Sequence, residues 1–425
     1  MKIPAPKYTR DFYPEEMRRR EWIEAAWVDA SKSAGFLPWD GPIFETLELY
    51  KRKSGNEIVE QLFNLASKGS QELAVRPEMT PSLARMITNR QAAIPRPIKW
   101  YTIGRMCRYE RGQRGRLREF WQWNVDLLGV DGPIADAEVM SVAVDGLEKL
   151  GLTADDVALR INSRSLLSAL LTSLGIAPDQ HARVYAVTDK KGKVPQAELE
   201  KLYAQIGLST ETLTQILDLM NSQSIDDVRS FAARRNDEHV AKELAKLEEL
   251  FAHLASLEKG PYCQFDIGIV RGLAYYTGPV FEIFDRKGEL RAVCGGGRYD
   301  QLMETMGGQA MPACGFGMGD VVLGELLNER KLAPPNDSPL DYYLVPIDDE
   351  RLADVLSLAQ RLRKAGKKAD YSPKAGNLSK ILKKASETGV KTVLLVGGDE
   401  WTRGHIKLRD MQSREEREIA VSELL

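Results

Sequence analysis

The chain has 425 residues, of which 43% are hydrophobic, so we expect more than one domain, each with a hydrophobic core. The formal net charge of −2 excludes a uniformly basic surface for nucleic acid but allows local basic patches. The four cysteines are dispersed, which excludes a usual zinc module and a disulfide framework and indicates a reducing, cytosolic setting. The four histidines lie outside every arginine-rich or glycine-rich segment, so histidine catalysis and a histidine-ligated metal are disfavoured. The N-terminus lacks an apolar signal region, and no stretch approaches the length of a membrane span.

The first predicted elements are two helices near the N-terminus. The earlier one begins at Pro14, with acids in its first turn, and stops at Gly35. The later one begins at Thr80, within the segment RPEMTPSLARM, and its N-terminus presents Glu78 and Thr80 close to exposed backbone amides. Helix capping alone would explain Thr80, whereas Glu78 beside Arg76 indicates a ligand site.

An arginine-rich hairpin follows at residues 105–129, RMCRYERGQRGRLREFWQWNVDLLG. Apolar runs at residues 100–107 and 120–128 flank a basic, glycine-containing centre, which predicts two antiparallel strands joined by a long loop. Four polar residues at even separations share one face of straight paired strands, namely Arg108, Glu110, Gln122 and Asp126. A solvated sheet edge is the alternative, but alternating charge on a sheet face is costly to bury without partners, so we predict a ligand-binding sheet that accepts an anion.

The middle of the chain carries helical and then glycine-rich patterns. Residues 133–150 predict a helix, residues 157–162 a strand, and residues 165–259 a block of periodic helices that interrupts the strand-rich chain. Strand patterns return in RGLAYYTGPVFEIFD, which begins at Arg271, and in RAVCGGGRYD, where three consecutive glycines permit a close backbone approach to a ligand. No Gly-Lys-Ser/Thr follows, so these glycines are not a P-loop.

The C-terminal part alternates strand and helix after a linker at residues 329–340 that is rich in proline and polar residues. This alternation predicts a small α/β domain with a largely parallel sheet. Residues 361–384 contain nine Lys or Arg and one acid. A solvated helix face is the alternative, but such an imbalance in a net acidic chain favours a nucleic-acid surface.

Taken together, these segments resemble the histidyl-tRNA synthetase family of class II aminoacyl-tRNA synthetases over nearly the whole chain. The resemblance is carried by RPEMT at Arg76, by the hairpin with Arg108, Glu110, Arg116 and Gln122, and by RGLAYY and GGGRYD, which are similar to the histidine-specific signatures. It implies an α+β fold: a class II synthetase-like antiparallel sheet core in residues 1–328, with a helical insertion at about residues 165–259, and a C-terminal α/β anticodon-binding domain in residues 341–425.

The resemblance also implies an activity, the ATP-dependent conversion of L-histidine to histidyl-adenylate and its transfer to the 3′ end of histidine tRNA. The carboxylate of histidine attacks the α-phosphorus, so the protein supplies positioning and positive charge and no nucleophile. Mg²⁺ accompanies ATP, without a metal site formed by the protein alone. The protein is expected in the cytoplasm as a homodimer with residues 35–50 at the interface, which is an analogy with the family.

The family's site residues carry over onto matching positions. Arg108 and Arg271 are the implied catalytic residues, whose permanently charged guanidinium groups hold the α-phosphate from two sides. ATP binding involves these two together with Glu110 and Arg116. Histidine binding involves Glu78, Thr80, Gln122, Asp126, Tyr275, Tyr276 and Tyr299, among which Asp126, Tyr276 and Tyr299 read the imidazole. Gln113 in the hairpin loop faces the extra 5′ guanosine of histidine tRNA.

Three positions depart from the family pattern. The usual Asp after Arg-Gly-Leu is Ala274, the pocket acid often given as Glu is the shorter Asp126, and Val322 stands where motif 3 normally ends in an arginine that stacks on adenine. An apolar side chain makes no cation–π contact and holds no phosphate. An organellar-type branch of the family carries similar RGLAYYTG and FGxGD patterns.

A non-catalytic paralogue is the competing interpretation. A regulatory subunit of ATP phosphoribosyltransferase resembles the synthetase core, binds histidine-like ligands and aminoacylates nothing. It typically lacks the C-terminal α/β domain and does not retain the motif residues of the hairpin or of the Arg271 position. This chain retains all three features, so we predict an enzyme. A synthetase for another amino acid is disfavoured by RGLAYY and GGGRYD.

Overall fold

The structure is a computed structural model that describes residues 3–53, 60–66, 69, 71–191, 194–270, 275–335 and 340–424, without the side chains of residues 52 and 53. The chain divides into two compact units, Met1–Ala333 and Pro334–Leu425. Arg271 and Ala274, which the sequence places in the signature RGLAYY, lie outside the described residues.

The strands are labelled in chain order. The first unit contains β1 (Leu37–Pro38), β2 (Phe44–Thr46), β3 (Asn64–Leu65), β4 (Leu73–Val75), β5 (Ile98–Cys107), β6 (Glu119–Leu128), β7 (Val157–Ser163), β8 (Cys263–Phe265), β9 (Pro279–Asp285), β10 (Cys294–Arg298) and β11 (Ala313–Gly319). The second unit contains β12 (Tyr342–Pro346), β13 (Ala369–Tyr371), β14 (Thr392–Val396), β15 (His405–Asp410) and β16 (Glu416–Ala420).

The α-helices alternate with these strands or follow one another in a block. Those of the first unit are Pro14–Ser33, Leu47–Lys53, Thr80–Arg90, Pro133–Glu148, Arg164–Ser173, Pro178–Thr188, Gln196–Ala204, Thr210–Met220, Ile225–Ala233, Glu238–Ser256, Leu302–Thr305 and Asp320–Glu329. Those of the second unit are Leu352–Lys364, Leu378–Glu387 and Gly398–Thr402. Short 3₁₀ turns lie at Gly260–Tyr262, Asp349–Arg351 and Val421–Leu424.

A large sheet with the order β1-β5-β6-β11-β10-β9-β7-β8 forms the centre of the first unit. Its strands pair antiparallel except at the two ends, where β1 pairs parallel with β5 and β8 pairs parallel with β7. The predicted hairpin pairs without a break from Ile98 opposite Leu128 to Cys107 opposite Glu119. The α+β fold class is therefore confirmed, with an antiparallel-rich sheet as its core.

The alternating side chains of β6 show which face of this sheet packs against the apolar core. Trp123 and Val125 are fully buried on the core side, where the Trp123 ring stacks on Trp27 of the N-terminal helix with ring centroids 5.8 Å apart. The Trp123 indole N–H donates to the Ser31 hydroxyl at 2.9 Å, so its polar atom is satisfied inside the core. The side chains at the even positions of β6, Gln122, Asn124 and Asp126, consequently face the other side of the sheet.

The block between β7 and β8 is helical, as predicted, and shares the core of the central sheet. Its last helix, Glu238–Ser256, packs against Pro133–Glu148 and Arg164–Ser173. Leu247 and Leu254 on its inner face are almost completely buried and belong to the same apolar cluster as Trp123. The block therefore braces the core side of the sheet, while a second apolar cluster that includes Leu83, Ile98 and Leu128 covers part of the opposite face.

The second unit has its own five-stranded sheet, in the order β13-β12-β14-β15-β16. The first three strands are parallel, as predicted, but β15 and β16 are added antiparallel. The prediction of a largely parallel sheet was wrong for these two strands. For β16 the reason is the short connection to β15 at residues 411–415, because a turn of that length joins strands only antiparallel.

Candidate active site

Two adjoining cavities open on the face of the central sheet away from the packed core. The larger has a volume of about 520 Å³ and the smaller of about 110 Å³. Four residues line both cavities, namely Arg108, Gln122, Gly295 and Gly317. The two cavities therefore form one continuous site, with Arg108 and Gln122 at the junction.

The floor of the site depends on glycines of β11 that face polar side chains of β6. Gly315 pairs with Asp126, and Gly317 pairs with Asn124. A Cβ atom on Gly315 would lie 2.4 Å from Asp126 Oδ1, and one on Gly317 would lie 2.6 Å from Gln122 Nε2. Only glycine leaves room for these polar side chains to lie across the neighbouring strand.

Only one of the three consecutive glycines of β10 is at the position predicted for a ligand. Gly295 lines both cavities, as a close approach to a ligand requires. A Cβ on Gly296 would lie 2.2 Å from the Gly315 carbonyl oxygen, and one on Gly297 would lie 2.7 Å from the Pro279 carbonyl oxygen. These two glycines are therefore required by strand packing within the sheet and not by a ligand.

All seven side chains predicted to bind histidine line the smaller cavity. They are Glu78, Thr80, Gln122, Asp126, Tyr275, Tyr276 and Tyr299. Thr80 is the first residue of its helix and Met79 occupies the N-cap position, so helix capping does not account for Thr80. Segments far apart in sequence thus converge on a space the size of a small ligand.

A buried hydrogen bond joins two of these side chains. The Tyr299 hydroxyl donates to Asp126 Oδ1, and both residues are about 2% exposed. Burial and the nearby Asp126 carboxylate raise the pKa of Tyr299 well above its usual range, so its hydroxyl stays protonated as a donor. The Tyr275 ring packs edge-on against Tyr299, with centroids 5.9 Å apart.

Two further buried oxygen atoms in the site accept no hydrogen bond from the described residues. Gln122 Oε1 and Asn124 Oδ1 are buried and have no hydrogen-bond partner among the described residues. Both residues line the smaller cavity. Because an unsatisfied buried acceptor is costly, this arrangement favours a ligand that carries hydrogen-bond donors.

An ion network behind β10 supports Tyr299. Arg298 donates to Asp136 Oδ2 from Nε at 3.1 Å and from Nη2 at 2.8 Å, and its Nη1 lies 3.1 Å from Asp300 Oδ1. Burial raises the pKa of Asp136 to about 6, against the opposing effect of Arg298. The backbone N–H of Tyr299 donates to the Ala313 carbonyl at 2.7 Å, which fixes the start of the following turn.

The larger cavity contains the described residues predicted to bind ATP. Arg108, Glu110 and Arg116 line it, and Arg116 Nη1 lies 2.9 Å from Glu110 Oε2. The prediction that Arg108 and Glu110 share a strand face was wrong, because β5 ends at Cys107 and both residues belong to the loop. Arg108 reaches the cavity junction because its Nε is held by the Pro77 carbonyl at 2.9 Å.

Gln113 lies apart from both cavities. It lines a separate cleft with Arg10, Phe12 and Arg114 at the outer end of the hairpin loop. Within the loop, Gln113 and Arg116 form an isolated β-bridge. Gln113 is therefore on the outer side of the loop, away from the smaller cavity.

The described residues contain no cluster of three or more His, Cys, Asp or Glu side chains that could hold a metal ion, and no described helix is long and apolar enough to cross a membrane. All four cysteines are free thiols. Glu110 and Glu282 carry the carboxylates of the larger cavity. One or two carboxylates together with phosphate oxygens are a usual environment for Mg²⁺, so these residues fit an ion that arrives with a nucleotide.

Comparison with known proteins identifies the family. The family model described as histidyl-tRNA synthetase matches residues 8–319, and the model described as anticodon-binding domain matches residues 341–425. The chain belongs to the histidyl-tRNA synthetase family. The resemblance inferred from the sequence motifs is thereby confirmed.

Individual members of the histidyl-tRNA synthetase family are similar along the whole chain. The chloroplastic/mitochondrial histidine–tRNA ligase of Arabidopsis thaliana is 38% identical over 422 residues, 99% of this chain and 86% of that protein. The histidine–tRNA ligase of Opitutus terrae is 39% identical over 411 residues, 96% of this chain and 94% of that protein. The crystal structure of histidyl-tRNA synthetase from Nostoc sp. PCC 7120 superposes with a TM-score of 0.85 at 25% identity, covering 100% of this chain and 99% of that one.

Several side chains that line the two cavities were not predicted from the sequence. They are Phe120, Asn124, Glu282 and Arg291. Asn124 lies at the even position between Gln122 and Asp126, so the strand alternation contained the signal. Glu282 and Arg291 carry no such signal, because their approach depends on which strands become neighbours in the sheet.

Proposed function

We propose that this chain is a histidine–tRNA ligase, which activates L-histidine with ATP to histidyl-adenylate and transfers the histidyl group to the 3′ end of histidine tRNA. The observation that carries the proposal is the convergence of all seven predicted histidine-binding side chains on the smaller cavity, next to the arginine-lined larger one. Family membership and full-length similarity to histidine–tRNA ligases support the same assignment.

In the proposed first step, a histidine carboxylate oxygen attacks the α-phosphorus of ATP and pyrophosphate leaves. Arg108 lies at the junction of the two cavities, where its guanidinium stabilises the charge that develops on the α-phosphate. Arg271 shares this task, an assignment that rests on the sequence motif alone. Glu110 and Arg116 engage the adenine and the terminal phosphates. Glu282 would help to hold Mg²⁺ beside the phosphates, where the ion would supply neutralisation of phosphate charge.

In the proposed histidine complex, the ammonium group donates to Glu78, Thr80 and Gln122. The buried Gln122 Oε1, which has no partner among the described residues, is a ready acceptor for it. The imidazole is read by Asp126, Tyr276 and Tyr299, with Tyr275 packed against Tyr299. A substrate without the matching donors and acceptors leaves these buried groups unpaired, which discriminates strongly against it.

The proposal for tRNA binding assigns residues 341–425 to the anticodon and Gln113 to the 5′ guanosine. The match to the anticodon-binding domain model supports the first assignment. All nine Lys and Arg residues between positions 361 and 384 are exposed, as a phosphate-binding surface requires. The domain bounds 1–328 and 341–425, with the linker at 329–340, the homodimer and a cytoplasmic location belong to the same proposal.

Amino-acid-dependent exchange of pyrophosphate into ATP, measured with each of the twenty amino acids, tests this function. Exchange with histidine alone would establish the activity and its specificity. A protein that binds histidine but supports no exchange with any amino acid would instead be the regulatory subunit of an ATP phosphoribosyltransferase.

A further inference from the structure

The larger cavity has an apolar residue at an unexpected place. Val322, near the start of the helix Asp320–Glu329, lines this cavity and belongs to the apolar core. Its side chain offers neither positive charge nor a planar face to a nucleotide. If this cavity takes ATP, a cation that stacks on the base has to come from another part of the chain.

Arg291 reaches the same wall from the connection between β9 and β10. Gly115 in the hairpin loop shows how close the two side chains are, because a Cβ atom on Gly115 would lie 3.2 Å from Val322 Cγ2 and 3.6 Å from Arg291 Cδ. The aliphatic part of Arg291 and the side chain of Val322 therefore lie close to the same point of the loop. Arg291 is exposed and lines the cavity, so its side chain lies where the cavity meets solvent.

The other described arginines of this cavity already have partners. Arg116 forms an ion pair with Glu110 at 2.9 Å. Arg108 is held by the Pro77 carbonyl and points to the junction with the smaller cavity. Among the described residues, Arg291 has no ion pair or hydrogen bond, which leaves its guanidinium available for a ligand.

We propose that Arg291 stacks its guanidinium on the adenine ring of ATP and thereby supplies the cationic contact that Val322 does not make. The inference rests on the proposed function, because it requires ATP in the larger cavity. A guanidinium is planar and weakly hydrated, so it binds well to the face of an aromatic ring. Phe120 lines the same cavity and offers an aromatic surface to the same base.

The test uses the full-length Arg291→Ala protein in histidine-dependent pyrophosphate exchange. We expect the KM for ATP to rise roughly three- to thirtyfold, the range of a cation–π contact between exposed and desolvated sites. The KM for histidine should stay the same, because Arg291 does not line the smaller cavity. Lys287→Ala is the matched control, since it removes an exposed cation from the same connection without altering the cavity lining.

Competitive inhibition by adenosine, which has no phosphates, separates stacking from phosphate binding. If Arg291 stacks on the base, Arg291→Ala raises the inhibition constant of adenosine by about the same factor as the KM for ATP. An unchanged inhibition constant for adenosine, or an unchanged KM for ATP, overturns the inference. Failure of the unmodified protein to exchange pyrophosphate with any amino acid would instead refute the proposed function itself.

Discussion

Tyr299 and Asp126 meet at the bottom of the smaller cavity, where the Tyr299 hydroxyl donates to a buried carboxylate. A hydrogen bond to a buried charged group contributes more than one between neutral groups. It also fixes the orientation of the Asp126 carboxylate within the smaller cavity. In the proposed histidine complex, this contact would contribute to the recognition of the imidazole.

Tyr299→Phe removes the hydroxyl while retaining the ring. We expect kcat/KM for histidine to fall roughly ten- to hundredfold, because Asp126 loses a buried donor. The KM for ATP should be nearly unchanged, since Tyr299 does not line the larger cavity. Steady-state pyrophosphate exchange measures both constants.

Tyr203→Phe is a suitable control for this change. Its hydroxyl is also buried and forms a 2.7 Å hydrogen bond with Thr188, but it lies in the helical block outside the site. The control should lose some thermal stability while keeping its kinetics with histidine. Equal loss of kcat/KM in both variants would contradict a specific role for Tyr299.

Gly317→Ala tests the floor of the site. Its new Cβ would lie 2.6 Å from Gln122 Nε2, and the three nearest atoms all belong to the side chains of Gln122 and Asn124, so we expect Gln122 to move and the strand to stay in place. We expect the KM for histidine to rise roughly tenfold or more, as for the loss of a charged hydrogen bond, with little change in unfolding temperature. Gly324→Ala, which meets nothing within 4 Å, should leave the KM for histidine unaltered.

At the level of elements, the network of Arg298 with Asp136 and Asp300 connects the helix Pro133–Glu148 to the end of β10. Asp136 is almost completely buried, and its Oδ1 has no hydrogen-bond partner among the described residues. Burial therefore outweighs the attraction of Arg298 and raises the pKa of Asp136 to about 6 from its usual 3.8.

This raised pKa predicts a pH dependence of stability with a definite sign. The folded state binds the Asp136 proton more tightly than the unfolded state, so the contribution to the unfolding free energy is fully present below about pH 4. It is lost as the pH rises through about 6, by roughly 3 kcal/mol in total.

Chemical unfolding of wild-type and Asp136→Asn proteins between pH 4 and 7 measures this effect. Because the variant does not titrate at position 136, the stability of the wild type relative to the variant should decrease over this interval. A relative stability that is constant or increases with pH would show that the carboxyl is ionised throughout.

At the scale of the whole molecule, the two units have separate apolar cores. The core of the first unit includes Trp123, and a cluster that includes Leu344 and Leu394 lies within the second. Each unit can therefore bury its apolar surface without the other. This separation allows the two proposed activities, adenylate formation and anticodon binding, to be tested one at a time.

Deletion of all residues after Leu340 should weaken charging of histidine tRNA and spare histidyl-adenylate formation. The proposed catalytic side chains belong to the first unit, whereas the exposed basic residues at positions 361–384 are removed. Aminoacylation and pyrophosphate exchange on the truncated protein provide the two readouts. A truncated protein that charges tRNA as well as the full chain would refute the anticodon assignment.

Several features of the fold and site were predictable because they depend on local order along the chain. Successive side chains of a strand point to opposite faces, so Trp123 and Val125 of β6 lie on one face and Gln122 and Asp126 on the other. This holds for any neighbouring strand. Pro14 followed by acids marked the start of the first helix correctly. Motif spacing similarly indicated the family, because the motifs lie within short contiguous segments.

Other features were decided only by long-range pairing. The opposition of Gly315 to Asp126 depends on β11 lying next to β6, and the approach of Arg291 to Val322 depends on the connection after β9. The antiparallel addition of β15 and β16 was missed for the same reason. A sequence pattern determines which face of an element a side chain occupies, whereas the tertiary structure determines which element lies opposite, because strand neighbours are chosen by packing over the whole domain.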